Sequence, residues 1–312
     1  MAETSGAPAG GRLDRDAATR MSETALDEAW GDPRSLLLRV REGEVPVRPG
    51  DGGGVELDLV PAGGERTPEH CYLGRVGDVA MFCAPAREDD GFADPAGGWQ
   101  PPFLLGEALS PLHIELMMVA FALLNWHLTM PFSPQDGGRT APAQGGWARV
   151  DEVGGEHFPR TDPAVIVLVE HEDRLLLGSN VLWETGRFSL LAGFVEAGES
   201  AEHAVVREVE EEAGVRVEQV RYVSSQAWPF PRSLMLGFRA RLGAGADPAE
   251  LRPDPAEISE LRWFTRDELR EPHEGLRLPM GLSIARKLID LWVDEGDGGA
   301  HAEVRGGGAS GG

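Results

Sequence analysis

Carboxylates crowd one short segment of the chain, and their spacing is that of one face of a helix. Residues 200–213 read SAEHAVVREVEEEA. Because residues three and four apart lie on the same side of a helix, Glu208, Glu211 and Glu212 are predicted to form an acidic cluster. Their mutual repulsion, roughly 0.2–0.5 kcal/mol per pair, is removed by a bound cation. Mg²⁺ and Mn²⁺ prefer carboxylate oxygens and bridge them to substrate phosphates.

Two interpretations of this cluster are equally open when it is considered alone. It can be a metal centre, in which the ion neutralises phosphates and turns a bound water into a nucleophile. It can also be a solvated acidic face, because the chain of 312 residues carries a net charge of −23 and charged helix faces are common.

The residues around the cluster are more specific than the cluster itself. From Gly193 to Val215 the chain reads Gly, five residues, Glu199, seven residues, then Arg-Glu-aliphatic-any-Glu-Glu-any-Gly-aliphatic. This pattern resembles the Nudix box and matches it at every constrained position. Gly193 and Gly198 are predicted to form a tight loop before the helix, and Gly214 a left-handed stop after it.

The resemblance to Nudix hydrolases implies roles that the spacing alone does not rank. Glu208 and Glu212 are expected to be the principal metal ligands, with Glu211 assisting as ligand or base. Arg207 is expected to pair with a glutamate and orient it. The remaining expected participants are Glu199 as a supporting carboxylate and the backbone carbonyl of Ala192 as a further metal contact.

A rigid aromatic segment, SQAWPFPRS, follows the box at residues 225–233. Pro229 and Pro231 restrict the backbone that carries Trp228 and Phe230, and flat aromatic side chains suit stacking on a nicotinamide or adenine ring. Taken in isolation, the segment favours a proline-rich corner whose aromatics fill the core. After a Nudix box it resembles the S-Q-P-W-P-F-P-x-S motif of the NADH pyrophosphatase family, with Ala227 in place of the usual proline.

That resemblance implies hydrolysis of NADH or NAD⁺ to AMP and nicotinamide mononucleotide with Mg²⁺ or Mn²⁺, and removal of NAD caps from RNA. It also implies a homodimer. The residues expected to contact the dinucleotide are Gln226, Ala227, Trp228, Pro229, Phe230, Pro231, Arg232 and Ser233. The other expected contacts are Phe158 and Phe194 with rings, Glu257 with metal, and the backbone of Ala285 with substrate.

A zinc ribbon that many members of this family carry before the catalytic domain lacks its cysteines here. The expected first knuckle is Ser133 to Gly137 and the second lies near Asp151 to Gly154. Structural zinc requires thiolate or imidazole ligands in tetrahedral number, and His157 alone does not supply them. We therefore expect a shrunken ribbon without zinc that packs around Trp147.

Composition limits the other functions that the chain can have. Its negative charge argues against broad binding to nucleic acid and against docking on anionic membranes. Cys71 and Cys83, the only cysteines, are expected to be reduced in a cytoplasmic protein. Two rivals remain: a Nudix pyrophosphatase for ADP-ribose or dinucleoside polyphosphates, and a non-catalytic nucleotide-binding module on the same fold.

Apolar runs and proline or glycine breaks predict an α/β (α+β) sandwich with a smaller β-rich N-terminal domain, and the resemblance to Nudix hydrolases implies that the sandwich is of the Nudix type. Ser110 and Pro111 predict the start of a buried amphipathic helix. Strands are expected over 164–170, 174–178, 188–191, 217–225, 233–241 and 258–264. The expected divisions are 1–32 disordered, 33–130 the N-terminal domain, 131–160 the ribbon-like linker, 161–295 the Nudix domain and 296–312 a disordered tail.

Overall fold

The computed structural model describes residues 12–50, 52–87, 91–106 and 108–296. The chain divides into two compact units. The first contains the residues up to Ala164 with Ser225–Met235 and Met280–Leu282, and the second contains Val165–Ser224, Leu236–Pro279 and the residues from Ser283. The predicted disorder of residues 1–11 and 297–312 falls outside the described residues.

The first unit is β-rich, as predicted, with one long helix. Its strands are β1 (Leu13–Asp14), β2 (Leu36–Val40), β3 (Val45–Pro49), β4 (Val55–Leu57), β5 (Val60–Pro61), β6 (Cys71–Val76), β7 (Val79–Pro85), β8 (Trp99–Gln100), β9 (Thr140–Ala143), β10 (Ala148–Asp151) and β11 (Glu156–His157). Its helices are α1 (Ala17–Arg20), α2 (Glu23–Gly31) and α3 (Pro111–Thr129), with 3-10 turns at Pro102–Leu104 and Gln144–Gly146. The main sheet has the order β1-β6-β7-β2-β5, and a smaller one has the order β4-β3-β8.

The prediction of disorder up to residue 32 was wrong for residues 13–31, which form β1, α1 and α2. Leu26, Ala29 and Trp30 lie three and four residues apart and are buried against the sheet. This short apolar stripe was hidden by its acidic and alanine-rich surroundings. Burial of its side chains, rather than intrinsic propensity, stabilises so short a helix.

Helix α3 begins where the sequence predicted, with Ser110 as its N-cap and Pro111 at its first position. It is not amphipathic, because the six consecutive residues 116–121 are all buried and an amphipathic helix leaves one face to solvent. The helix is long and apolar enough to cross a membrane by length and composition, and 61% of its most apolar stretch is buried inside the protein. Such burial is typical of a core helix.

The ribbon-like region forms a small antiparallel sheet of order β11-β10-β9. At the first turn of this region, the Ser133 hydroxyl accepts a hydrogen bond from the Gln135 amide. At the second turn, the Asp151 carboxylate accepts hydrogen bonds from the amides of Val153 and Gly155. These oxygens hold backbone amides and are not a thiolate donor set for zinc. Trp147 is tied to the rest of the unit by its indole, which donates to the carbonyl of Tyr72.

The second unit contains the mixed α/β architecture predicted from the sequence. Its elements, some of whose ends extend into the first unit, are β12 (Asp162–His171), β13 (Arg174–Asn180), β14 (Leu191–Phe194), α4 (Ala201–Ala213), β15 (Val217–Trp228), β16 (Ser233–Leu242), β17 (Ile258–Thr265), α5 (Arg266–Arg270) and α6 (Ile284–Glu295). The sheet has the order β15-β16-β12-β13-β17, and β14 pairs with β12. The strand expected at 188–191 lies three residues later, because Ser189 makes only an isolated bridge to Gly178.

A buried ion pair fixes α6 to this sheet. The Arg239 guanidinium donates two bonds of 2.7 Å to the Glu170 carboxylate, and the Trp292 indole donates a third of 2.7 Å. The Glu170 side chain is only 10% exposed. Since a buried carboxylate requires full hydrogen bonding, these three residues set the position of the helix.

Replacing Arg239 by methionine is expected to lower the free energy of unfolding by about 2–4 kcal/mol, because Glu170 then keeps a buried charge with one donor. The matched control is Arg216→Met, whose side chain is 79% exposed beside Glu210 and whose loss is expected to cost at most about 0.5 kcal/mol. Urea denaturation of the three proteins measures the difference. Equal midpoints for the two variants would contradict the assigned role of Arg239.

Candidate active site

The carboxylate helix α4 is closed at both ends by the residues that the sequence indicated. The Ser200 hydroxyl accepts a hydrogen bond from the His203 amide, and Gly214 ends the helix with a left-handed backbone conformation at φ 70°. Val205, Val209 and Ala213 are buried in the core of the second unit. Because this apolar stripe faces inward, the neighbouring carboxylates Glu208 and Glu212 are drawn into the protein as well.

The structure ranks the glutamates that the sequence could not rank. Glu208 and Glu212 are buried, at 8% and 7% exposed, whereas the Glu211 side chain is 57% exposed. Glu210 lies on the exposed side and pairs with Arg216. The principal pair is therefore Glu208 and Glu212, one helical turn apart.

Glu212 is the most perturbed carboxylate of the group. Burial, followed by the charges of Glu208 and Glu257, raises its pKa to about 8 although the Ala192 amide donates a hydrogen bond to it. Its Oε2 atom is buried and has no hydrogen-bond partner within the described residues. Burial and the charges of nearby glutamates also raise the pKa of Glu208. A buried carboxylate oxygen without a partner calls for a cation or a proton.

Arg207 links the acidic residues of the helix and its preceding loop. Its guanidinium lies 2.8 Å from a carboxylate oxygen of Glu199, 2.8 Å from one of Glu208 and 3.0 Å from one of Glu211. Its Nη2 atom also donates to the carbonyl of Phe194. The Arg207 hydrogen bond, with one from the Glu196 amide, lowers the pKa of Glu199 to about 2. Arg207 is thus in the position that the sequence predicted, holding glutamates in place.

This donor set fits a hard divalent cation. Glu208, Glu212 and Glu257 contribute negative charge to one region, and oxygen is the donor that Mg²⁺ and Mn²⁺ prefer. Within the described part of the chain, no three His, Cys, Asp or Glu side chains already converge at metal-ligand distances.

Gly193 has a different role from the one predicted. It does not form the loop before the helix but lies in β14. A Cβ atom at Gly193 would come within 2.0 Å of the Glu208 carboxylate carbon, so a larger residue there must displace that carboxylate. Gly198, with φ 86°, does form the predicted turn.

Replacing Gly193 by alanine is expected to displace Glu208 and to lower the affinity for divalent metal and the catalytic efficiency by about 10- to 100-fold, the loss typical of a disturbed ligand position. Gly63→Ala is the control, because a Cβ there meets no atom within 4 Å. Metal titration and steady-state rates measure the effect. A Gly193→Ala enzyme with the metal affinity of the parent would show that Glu208 is free to move.

The two rings of the aromatic segment pack partly against the first unit. Trp228 and Phe230 are partly buried against the first unit's core, with ring centroids 5.8 and 4.9 Å from that of Phe103. Phe121 lies 5.2 Å from Phe230. The contacts favour the core-filling interpretation for these two rings. The two ring contacts predicted outside the segment, Phe158 and Phe194, are 60% and 59% exposed.

The other predicted contacts are placed by hydrogen bonds. Gln226 donates to the carbonyl of Leu282, and Arg232 pairs with Asp162 at 2.6 Å. Ala285 is the second residue of α6, where amide N–H groups have no acceptor within the helix. Sequence reasoning missed Asn125, which donates to the Pro229 carbonyl. No local signal marked it, since the two residues are 104 positions apart.

Comparison with known proteins relates the chain to one family. The NUDIX domain model matches residues 160–284. The NAD-capped RNA hydrolase NudC of Mycobacterium tuberculosis is 41% identical over 300 residues, 90% of this chain and 93% of that protein. NudC of Stutzerimonas stutzeri is 47% identical over 140 residues, 45% of this chain and 47% of that protein. A Nudix hydrolase structure from Nitrosomonas europaea is 24% identical with a TM-score of 0.43, covering 55% of this chain and 94% of its own.

The fold of the second unit and the match to the NUDIX domain model place the chain among the Nudix hydrolases. The chain belongs to the NADH and NAD⁺ pyrophosphatase family of Nudix hydrolases.

Proposed function

We propose that this enzyme hydrolyses the pyrophosphate of NADH and NAD⁺, giving AMP and nicotinamide mononucleotide, and removes NAD caps from RNA. The observation that carries the proposal is the buried pair Glu208 and Glu212, which leaves one carboxylate oxygen without a partner on an intact Nudix helix. Relatives that match nearly the whole chain are named NAD-capped RNA hydrolases.

Each residue of the centre has a distinct task in this reaction. Glu208 and Glu212 would hold Mg²⁺ or Mn²⁺, with Glu257 adding a third carboxylate. A divalent ion bound there supplies Lewis acidity and lowers the pKa of a bound water. Arg207 fixes the orientation of Glu208 and Glu211 through bonds of 2.8 and 3.0 Å. Glu211, the exposed carboxylate, is the group open to accept a proton from water.

Recognition of the dinucleotide is assigned to the residues that the family resemblance implies. Phe158 and Phe194 would stack on its rings, and the segment Gln226–Ser233 and the Ala285 amide would supply polar contacts. Trp228 and Phe230 would support this segment from behind, as their packing on Phe103 indicates. The homodimer implied by the family resemblance remains part of the proposal. Cytoplasmic location is also proposed, supported by free thiols at Cys71 and Cys83, which face each other across β6 and β7.

The experiment is incubation of the purified protein with Mg²⁺ or Mn²⁺ and, separately, NADH, NAD⁺, ADP-ribose, diadenosine polyphosphate and NAD-capped RNA. Products are resolved by chromatography. Dominant release of AMP and nicotinamide mononucleotide from NADH or NAD⁺, and of nicotinamide mononucleotide from the RNA, is the expected result. Preferred cleavage of ADP-ribose or the polyphosphate would reassign the substrate within the Nudix hydrolases. Binding without cleavage of any of these would favour a nucleotide-binding module.

A further inference from the structure

A groove of about 840 Å³ opens in the first unit, and catalysis at the carboxylates does not account for it. Its lining includes the apolar side chains of Met118 and Val119 of α3. It also includes aromatic and cationic side chains, Trp147 and Phe158 with Arg15 and Arg20. Pockets of roughly 300–1,000 Å³ hold ligands of drug size, so this groove has room for a nucleotide.

The two arginines of the groove stack on the ring of Trp147. The Arg20 guanidinium lies 4.3 Å from the Trp147 ring centroid, and that of Arg15 lies 5.5 Å from it. Within residues 12–50, 52–87, 91–106 and 108–296, no ion pair involves Arg20. Arg15 meets only Glu115, at 3.4 Å. Burial lowers the pKa of both guanidinium groups. Asp16, whose charge also acts on Arg20, is already paired with Arg75, so the two partly desolvated cations still favour an anion in the groove.

A site that favours an anion is unusual in a protein with a net charge of −23. A polyanion approaching such a surface is repelled except where cations gather. Guanidinium planes stacked beside aromatic rings are also the combination that binds single-stranded RNA, because the cation meets phosphate and the ring meets a base. The groove therefore offers both halves of nucleotide recognition in one place.

We propose that this groove takes the first nucleotides of the RNA chain that follow the NAD cap. Arg15 and Arg20, held against the Trp147 ring, contact the phosphates, and the apolar side chains of Met118 and Val119 contact a base. The inference rests on the proposed function. Gln226 and Ala227 belong to the segment assigned to the dinucleotide, and they also line the groove. The groove is therefore continuous with that segment. Free NADH has no chain beyond its adenosine, so the groove discriminates capped RNA from the small substrate.

The test is a double variant, Arg15→Gln with Arg20→Gln, assayed on NADH and on an NAD-capped RNA of about ten nucleotides. Catalytic efficiency on the RNA is expected to fall about tenfold or more, with an unchanged rate on NADH. The salt dependence of RNA turnover should also become shallower, because fewer phosphates are neutralised. The matched control is Arg41→Gln, whose guanidinium stacks on Trp99 at 4.5 Å and is not part of the groove wall.

Three outcomes would overturn the inference. These are an equal loss on both substrates, no loss on either, and a changed oligomeric state in sedimentation, which would make the groove an interface between copies of this chain. Failure of the proposed function is distinguishable, because the parent enzyme would then cleave neither substrate. In that case, fluorescence anisotropy with a 5′-monophosphorylated RNA decides. Weaker binding by the double variant supports the groove, and equal binding rejects it.

Discussion

Glu208→Gln is expected to lower catalytic efficiency on NADH by about 10²- to 10³-fold, the loss seen when one preorganised electrostatic group is removed from an active site. The substitution keeps the size of the side chain but removes a charge that is only 8% exposed. It also weakens the 2.8 Å contact with Arg207 that orients the centre. Steady-state rates at saturating Mg²⁺ or Mn²⁺ measure the effect.

The same helix provides the control for this substitution. Glu210 is exposed, pairs with Arg216 and faces away from Glu208 and Glu212, so Glu210→Gln is expected to retain the parent rate. Nucleotide binding measured by calorimetry should persist in Glu208→Gln, because the rings and phosphates still meet the same side chains. Full activity in Glu208→Gln would refute the mechanism, and loss in both variants would point to general damage to the helix.

The catalytic helix could be predicted from sequence because its determinants are local. A cap at Ser200, apolar residues three and four apart, and a glycine at the left-handed stop all lie within 15 residues. The strands that flank it were predicted for the same reason, since continuous apolar runs such as residues 164–170 have few alternatives. Which glutamates enter the protein depends on the sheet beneath the helix, and periodicity alone does not contain that information.

The aromatic segment shows why the rest of the site could not be predicted. Its prolines correctly indicated a rigid corner, but the direction in which Trp228 and Phe230 point is set by Phe103 and Phe121, more than 100 residues away. Gly193 is a similar case, because its constraint is a carboxylate 15 positions later. The N-terminal helices were missed because their apolar stripe is short. In each case, tertiary contacts decided between local interpretations that the sequence left open.

Glu212→Gln is expected to stabilise the metal-free protein at alkaline pH while it impairs catalysis. The pKa of this carboxyl group is raised to about 8 in the folded protein, above its value in the unfolded chain. The folded state therefore binds the proton more tightly. The parent protein loses stability as the pH rises from about 4.5 to about 8, with no further loss above that window. A shift of this size corresponds to at most about 5 kcal/mol, and glutamine, which does not titrate, avoids the loss.

Urea denaturation in a chelator between pH 5 and pH 9 measures this difference. The stability advantage of Glu212→Gln over the parent should be small at pH 5 and grow up to about pH 8, whereas Glu210→Gln should follow the parent throughout. Added Mg²⁺ or Mn²⁺ should stabilise the parent more than Glu212→Gln, because binding to the folded state adds stability by mass action and the charge that attracts the ion is present only in the parent. A pH-independent difference between the two proteins would mean that Glu212 is already ionised without metal. The repulsion among these carboxylates, which the cation relieves, would then be too weak to account for the metal requirement.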